Sequence, residues 1–330
     1  MSSTHRNSVK VTIHTSQFPD VIQQQLITAL RNGYVPPKFL YDSVQQTQKW
    51  LHVHQVHSPS RIDPDVSRIY DAVFDHAFSQ AKYNEVALIG LGCGGGKKDA
   101  KCLSKLKLET GLLHYVPCDV SQSMTLAARK EVGKKLDYNN IYPLVCDLSE
   151  SDNLDQLLDD LLPFSHKRIF TFFGMIPNLD PDIIFPKLFK ITRDDDNLFI
   201  SANLVSGDNY HFGVENILHQ YDNEETRDWL LSFLVGLGIP MEAGDLFFGI
   251  ETVGGLLRVV ANFRFIHSQV IHIDSETITF ESGQSLRLFY SYRHTQKTLN
   301  ECINKYGLKI VFNEISRSGE EGVFRVKRAA

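Results

Sequence analysis

Cysteine is scarce in this chain of 330 residues: there are five (Cys93, Cys102, Cys118, Cys146 and Cys302), scattered and without a C-x-x-C pair. An odd, dispersed set argues against a disulfide framework or a zinc module and for a reducing compartment. Positive charge is not in excess either. Lys and Arg number 34 against 39 Asp and Glu, a formal net charge of −5. The basic footprint that grips a phosphate backbone is missing, so nucleic acid is not an expected partner. Long apolar runs are absent as well. The longest, Trp229 to Met241, is broken by Ser232, Gly236, Gly238 and Pro240 and is too short to span a bilayer. The N-terminal stretch is polar and lacks the hydrophobic segment of a secretory leader. No G-x-S-x-G, H-E-x-x-H or Walker A pattern occurs, and no internal repeat. What remains, with 42% hydrophobic and 22% charged residues, is the composition of a soluble protein, expected to be a cytoplasmic enzyme.

What the chain does have is alternation. Val86–Gly90 is a short apolar run that ends in Gly92-Cys-Gly-Gly-Gly96, and Lys97–Lys107 then reads as a helix. Leu112–Val116 predicts a second strand ending at Asp119, and Ile141–Val145 a third ending at Asp147. Ser151 is placed to cap a helix carrying Leu154, Leu157, Leu158, Leu161 and Leu162 at helical spacing. Arg168–Phe173 and Asn197–Val205 read as further strands. Strands and helices in this order imply a parallel sheet covered on both faces.

From about Ser206 to Gly283 the rhythm breaks. An apolar helix around Trp229–Leu237 precedes two strand candidates, Leu256–Phe265 and Thr277–Glu281. Ser285–Arg293 then alternates, with Leu286, Leu288, Tyr290 and Tyr292 expected on one face and Arg287, Phe289, Ser291 and Arg293 on the other. Thr295 caps a helix that Gly307 stops, and the chain ends in two strands, Leu308–Ile315 and Val323–Lys327, joined by a turn. A helix and terminal hairpin closing a parallel sheet is the topology of class I S-adenosylmethionine (SAM) methyltransferases, whose last strand is antiparallel.

The chemistry-bearing residues cluster at predicted strand ends. Glycines at Gly90, Gly92, Gly94 and Gly96 sit at a strand-to-helix junction, where the backbone turns tightly and a helix N-terminus offers free N–H groups. A G-x-G-x-x-G reading through Gly90, Gly92 and Gly95 leaves a dinucleotide site open on spacing alone. Asp119 is placed to accept bonds from a ribose diol, or to cap the helix after Ser121. Asp147 is placed against an adenine amino group, with a loop cap as its bland alternative. In Phe173-Gly-Met-Ile-Pro-Asn178-Leu a side-chain amide stands where ligands react in an open parallel sheet; otherwise Asn178 is a turn residue after Pro177. Amine methylation needs orientation more than acid–base help, and an amide oxygen supplies that. His52, His54 and His57 lack a matching carboxylate or cysteine, so packed or surface histidines are expected there, and no metal. Cys93 reads as a small filler rather than a reactive thiolate.

Together these residues resemble the SAM-dependent amino-acid Nα-methyltransferases typified by the L-histidine Nα-methyltransferase of ergothioneine biosynthesis, a family whose fungal relatives include 4-dimethylallyltryptophan N-methyltransferase. The likeness runs through most of the chain. Its carriers are Pro37-Lys-Phe-Leu-Tyr41-Asp42, Leu91-Gly-Cys-Gly-Gly-Gly-Lys97, Tyr115-Val-Pro-Cys-Asp119-Val-Ser, the Asn178 segment, Phe280-Glu-Ser-Gly-Gln and Tyr290-Ser291-Tyr-Arg. The third of these is the most specific. The resemblance implies a Rossmann-like α/β SAM domain (63–205 and 289–330) and a smaller α+β substrate domain (1–62 and 206–288). It implies SAM as cofactor at Gly90, Gly92, Gly94, Gly96, Lys97, Asp119 and Asp147, and an amine acceptor held by Tyr41, Asn178, Phe289 and Ser291, with Asn178 and Tyr41 catalytic. A place in secondary metabolism goes with it.

The departures concern the substrate. Phe289 stands where the histidine enzyme has a Glu two residues before the late Ser, and Gln284 replaces another family Glu. His57-Ser-Pro-Ser-Arg61 replaces Tyr-Tyr-Pro-Thr-Arg, and the loop before Asn178 is one residue shorter. The expected substrate is therefore an amino-acid-like small-molecule amine other than histidine, with O-methylation or SAM binding without turnover as the alternatives.

Overall fold

The computed structural model describes residues 8–41, 43–57, 64–79, 83–106, 108–162, 167–207 and 209–329. Asp42, the Ser58–Arg61 stretch and the expected boundary at 62/63 lie outside them. The strands, in chain order, are β1 (Thr12–Ile13), β2 (Tyr83–Leu91), β3 (Leu108–Asp119), β4 (Leu144–Val145), β5 (Lys167–Phe172), β6 (Asn197–Asn203), β7 (Gly244–Val253), β8 (Leu256–Phe265), β9 (Gln269–Ile273), β10 (Glu276–Phe280), β11 (Ser285–Arg293), β12 (Leu308–Ile315) and β13 (Glu321–Arg328). The helices are α1 (Pro19–Arg31), α2 (Val44–His57), α3 (Pro64–Phe78), α4 (Lys97–Lys105), α5 (Gln122–Val132), α6 (Leu154–Leu161), α7 (Pro181–Ile191), α8 (Tyr210–Asn216), α9 (Glu224–Gly236) and α10 (Gln296–Lys305).

Eight strands form one sheet in the order β1-β4-β3-β2-β5-β6-β13-β12. The first six are mutually parallel; β13 runs antiparallel to β6, and β12 to β13. Alternate residues of the inner strands feed two cores. Ala87, Ile89, Leu91, Val116, Phe170, Phe172 and Ile200 pack under α6, α7 and α10, while Val86, Leu88, Tyr115, Ile169 and Phe199 pack under α3, α4 and α5. A strand buried on both faces reads as a continuous apolar run, which is why Val86–Gly90 was legible. This is the α/β architecture expected, with its antiparallel terminal hairpin.

A third core joins the three-stranded antiparallel sheet β11-β8-β7 and the β9-β10 hairpin to α1, α9 and the N-terminal segment. Among the described residues, no helix is long and apolar enough to cross a membrane.

Three local expectations are corrected. The strand predicted over Ile141–Val145 shrinks to Leu144–Val145, with Ile141 making an isolated bridge to Tyr115. Pro143 has no N–H and cannot extend the ladder. Ser151 is not the helix cap: its N–H bonds back to Asp147 O at 3.0 Å in a turn, and Asn153 takes the N-cap position before Leu154. The alternation of β11 is broken by a bulge between Arg287 and Phe289. Leu286 pairs with Phe263, Phe289 with Ala261, Ser291 with Val259 and Arg293 with Leu257, so these four share a face. Tyr290 and Tyr292 pair with Val260 and Arg258 on the opposite side.

At the end of β11, His294 is completely buried with neither ring nitrogen hydrogen-bonded, and burial pushes its pKa down to about 4. An unfolded histidine titrates near 6.5. Stability from the neutral ring is therefore complete above pH 6.5 and is lost as pH falls toward 4, by about 1.4 kcal/mol at pH 5.5. Asp99, pushed up to about 6 mainly by burial, gains stability over an overlapping range as pH falls. The two effects oppose, so the test is a difference: denaturant titrations should show His294→Leu gaining about 1.4 kcal/mol on wild type between pH 7.5 and 5.5. A pH-independent difference would remove the assigned titration.

Candidate active site

The loop after β2 crosses the carboxyl edge of the sheet, where open α/β folds bind ligands. Each glycine has its own physical reason. A Cβ on Gly90 would stand 2.2 Å from Asp99 Oδ2, and one on Gly92 would stand 2.4 Å from Met175 Sδ. Gly96, at φ +72°, is the N-cap of α4, and a Cβ there would press to 2.7 Å of the Ala128 backbone on α5. These three allow close packing. Gly94, at φ +49°, faces open space with nothing within 4 Å, which is the cradle a ligand's backbone approach needs. Lys97, the first residue of α4, has an exposed side chain.

Beneath the loop, Asp99 accepts from Tyr115 Oη at 2.6 Å and Thr171 Oγ1 at 2.7 Å, tying β3 and β5 to the start of α4. Cys93 stays a neutral thiol, since burial and then the negative charges of Asp119 and Asp99 push it up.

Asp119 ends β3 and does two local jobs. Its Oδ2 accepts from Gly94 N and its Oδ1 from Ser121 N, both at 3.0 Å. Ser121 is the N-cap of α5. Each carboxylate oxygen has a second lone pair, so both oxygens keep capacity for a diol. Burial raises the Asp119 carboxyl above its ordinary range, against those backbone donors. Asp147 is engaged differently. Its Oδ1 accepts from Ser149 N at 2.9 Å and its Oδ2 pairs with Lys38 Nζ at 2.9 Å. Lys38 thus ties the N-terminal segment to the end of β4, a contact no local sequence pattern announced.

Asn178 follows β5 in a short 3-10 turn, Ile176–Asn178. Its Nδ2 donates to the Tyr290 carbonyl at 3.0 Å. That bond fixes the amide's orientation and leaves Oδ1 as an acceptor. Tyr41 lies near enough to Asp119 for that carboxylate to add to the effect of burial in raising the phenol's pKa. Its ring packs edge-on to Trp50 at 5.3 Å and tilted to Trp229 at 5.6 Å. Burial raises the pKa of both Tyr41 and Tyr290, so both phenols remain protonated near neutral pH. Phe289 continues the aromatic run, 5.8 Å from Trp229 and 6.0 Å from Tyr221. Ser291 Oγ bonds Tyr221 Oη at 2.8 Å, and Arg293 Nε donates to the same phenol at 2.8 Å.

Tyr41, Asn178, Phe289 and Ser291 therefore converge, though they come from three separate parts of the chain. Trp229 and Tyr221 join them unannounced, because only the folded packing of α9 and its approach against β11 turns them inward. The histidines do not form a centre. His57 pairs with Glu225 at 3.0 Å, and His54 stacks on Trp50 at 5.1 Å. No metal-holding group of three or more His, Cys, Asp or Glu occurs among the described residues.

A parallel sheet with a glycine loop after its first long strand, a carboxylate at the end of the next and an antiparallel terminal hairpin is the fold of a class I SAM-dependent methyltransferase. The sequence of residues 22–210 matches the family of histidine-specific, SAM-dependent methyltransferases, and the chain belongs to that family. SAM is accordingly its cofactor. The open side of Gly94 and the free lone pairs of Asp119 fit it. A search of curated proteins found no match. Among solved structures, a SAM-dependent methyltransferase from Clostridium acetobutylicum is similar at 12% identity, covering 86% of this chain and 99% of that one, with a TM-score of 0.47. Magnesium protoporphyrin IX methyltransferase from Synechocystis is similar at 11% identity (92% and 100% covered, TM-score 0.47). A third is the Burkholderia thailandensis 1,6-didemethyltoxoflavin-N1-methyltransferase, at 10% identity (93% and 90% covered, TM-score 0.44).

Proposed function

We propose that this chain methylates the amine nitrogen of an amino-acid-like small molecule other than histidine. The observation that carries the reading is Phe289, buried between Trp229 and Tyr221 on the face it shares with Ser291. A phenyl ring accepts no hydrogen bond from an imidazole, whereas it gains from burial against an apolar or aromatic side chain. SAM supplies an electrophilic methyl group; the protein's residues orient the acceptor. Asn178 Oδ1 accepts an amine N–H and turns the nitrogen lone pair toward the cofactor side, and Tyr41 closes the space above it. The neutral amine is the nucleophile, and the proton that its ammonium form carries is lost to water before the lone pair attacks. Five cysteines with no disulfide between them accord with a cytoplasmic enzyme.

The test is kcat/KM for histidine against phenylalanine, tryptophan and their analogues. An unpaired buried imidazole costs about 1–3 kcal/mol, so the wild type should disfavour histidine by at least about tenfold. Phe289→Glu should move preference toward histidine. Efficient histidine methylation by the wild type refutes the specificity, and an oxygen-linked methyl in the product refutes the amine.

A further inference from the structure

We propose that β7 is a dimer-forming edge: its outer side pairs antiparallel with β7 of a second copy of this chain, about a two-fold axis at Ile250.

β7 is an edge strand, bonded to β8 alone in the order β11-β8-β7. The two-residue turn Gly254-Gly255 makes Val253 and Leu256 a hydrogen-bonded pair. Counting back by twos, Glu251, Gly249, Phe247 and Asp245 also direct their N–H and C=O groups at β8. Leu246, Phe248, Ile250 and Thr252 direct theirs outward. Arg227 Nη1 donates to the Leu246 carbonyl at 2.8 Å. Among the described residues, nothing bonds the outward backbone groups of Phe248, Ile250 and Thr252. Such an edge is ordinarily blunted by Lys, Pro, a bulge or a covering element. Phe248–Val253 contains no Lys or Pro, and β7 pairs with β8 without a register shift.

The occupant follows from how the strand matches itself. Three free residues in alternation, with Ile250 in the middle, favour one register: Ile250 faces Ile250 of the second copy, and Phe248 faces Thr252. Each such pair exchanges two N–H···O bonds. Sliding the pairing toward Gly244 would need the Leu246 carbonyl that Arg227 already holds.

The side chains agree with this register. The odd-numbered residues of β7 lie on the sheet face turned away from Phe289 and Ser291. On that face Phe247 is 43% exposed and Val253 37%, and each meets the other from the opposite copy. Phe247 also lines a shallow recess with Arg264, Ile266 and Gly283. The second copy's hairpin tip, Gly254-Gly255, reaches that recess without side chains to obstruct it. Glu251 meets Gly249, above which a side chain has open space, so no like charges face each other across the axis.

The experiment uses the full-length protein. Sedimentation at about 100 μM should give twice the mass of the chain, with a micromolar dissociation constant. Phe247→Asp and Thr252→Pro should each weaken self-association by at least about tenfold. Proline at position 252 removes an outward N–H and no bond to β8, so the sheet should survive. SAM affinity, measured by calorimetry, should match wild type in both variants and so report an intact fold. Trapping with cysteine reads the register. Ile250→Cys puts two Cα atoms about 5.5 Å apart across the axis, within disulfide reach. Oxidised glutathione should then give a covalent dimer that dithiothreitol reverses, whereas wild type and Thr252→Cys should give none. A wild type that sediments as a single chain at about 100 μM overturns the proposal. So does a dimer that Phe247→Asp and Thr252→Pro leave intact, or one that Thr252→Cys traps and Ile250→Cys does not. If Thr252→Pro fails to fold, Phe247→Asp and the two cysteine variants decide.

Discussion

Asn178→Ala should lower kcat by about two to three orders of magnitude while the Kd for SAM stays within about twofold of wild type. The amide has two partners in this account. Its Nδ2 is held by the Tyr290 carbonyl at 3.0 Å, and its Oδ1 is left for the acceptor amine. Removing it deletes the acceptor and leaves a carbonyl of the substrate strand without its donor. The nitrogen then samples orientations in which its lone pair misses the methyl group. None of this touches the glycine loop. Asn178→Asp keeps an acceptor oxygen but loses the donor to Tyr290 and should recover part of the rate. Single-turnover kinetics with SAM saturating separates the chemical step from binding. A variant with near wild-type kcat would make Asn178 a turn residue and nothing more.

The second large effect is on cofactor binding. Asp119→Ala removes charge-assisted bonds to the ribose and also the acceptor that holds Gly94 N. Charged hydrogen bonds contribute about 1.5–3 kcal/mol each, so SAM should bind roughly 10- to 150-fold more weakly. Ser121 remains to cap α5, and the fold should persist. Asp147→Ala should act more gently, because Lys38 already occupies that carboxylate. Calorimetry with SAM and S-adenosylhomocysteine on both variants checks the order. Unchanged SAM affinity in folded Asp119→Ala would contradict the assignment.

Much of this was legible in the sequence. Buried parallel strands announce themselves as apolar runs, and ligands bind beyond their carboxyl ends, so Gly94, Asp119 and Asn178 were readable as candidates for a cofactor loop and a reaction site. The half-exposed sheet was harder. β7 carries Gly249 and intermediate burial along half of its length, so it shows no clean alternation, and β9 is five residues long. The β11 bulge was invisible because Leu286 and Leu288 are both apolar and both fully buried, although the added residue moves Leu286 to the face of Phe289. Contacts between distant segments carry no local signature. Lys38 meets Asp147, and Tyr221 meets Ser291 and Arg293, only once distant parts of the chain have packed.

The most direct measurement is mass spectrometry of the product formed by the purified protein, SAM and a panel of amino acids. The expected product carries a methyl group on the α-nitrogen of an apolar or aromatic amino acid, with histidine turned over at least about tenfold less efficiently. Preferential Nα-methylation of histidine, or methylation at oxygen, would contradict it.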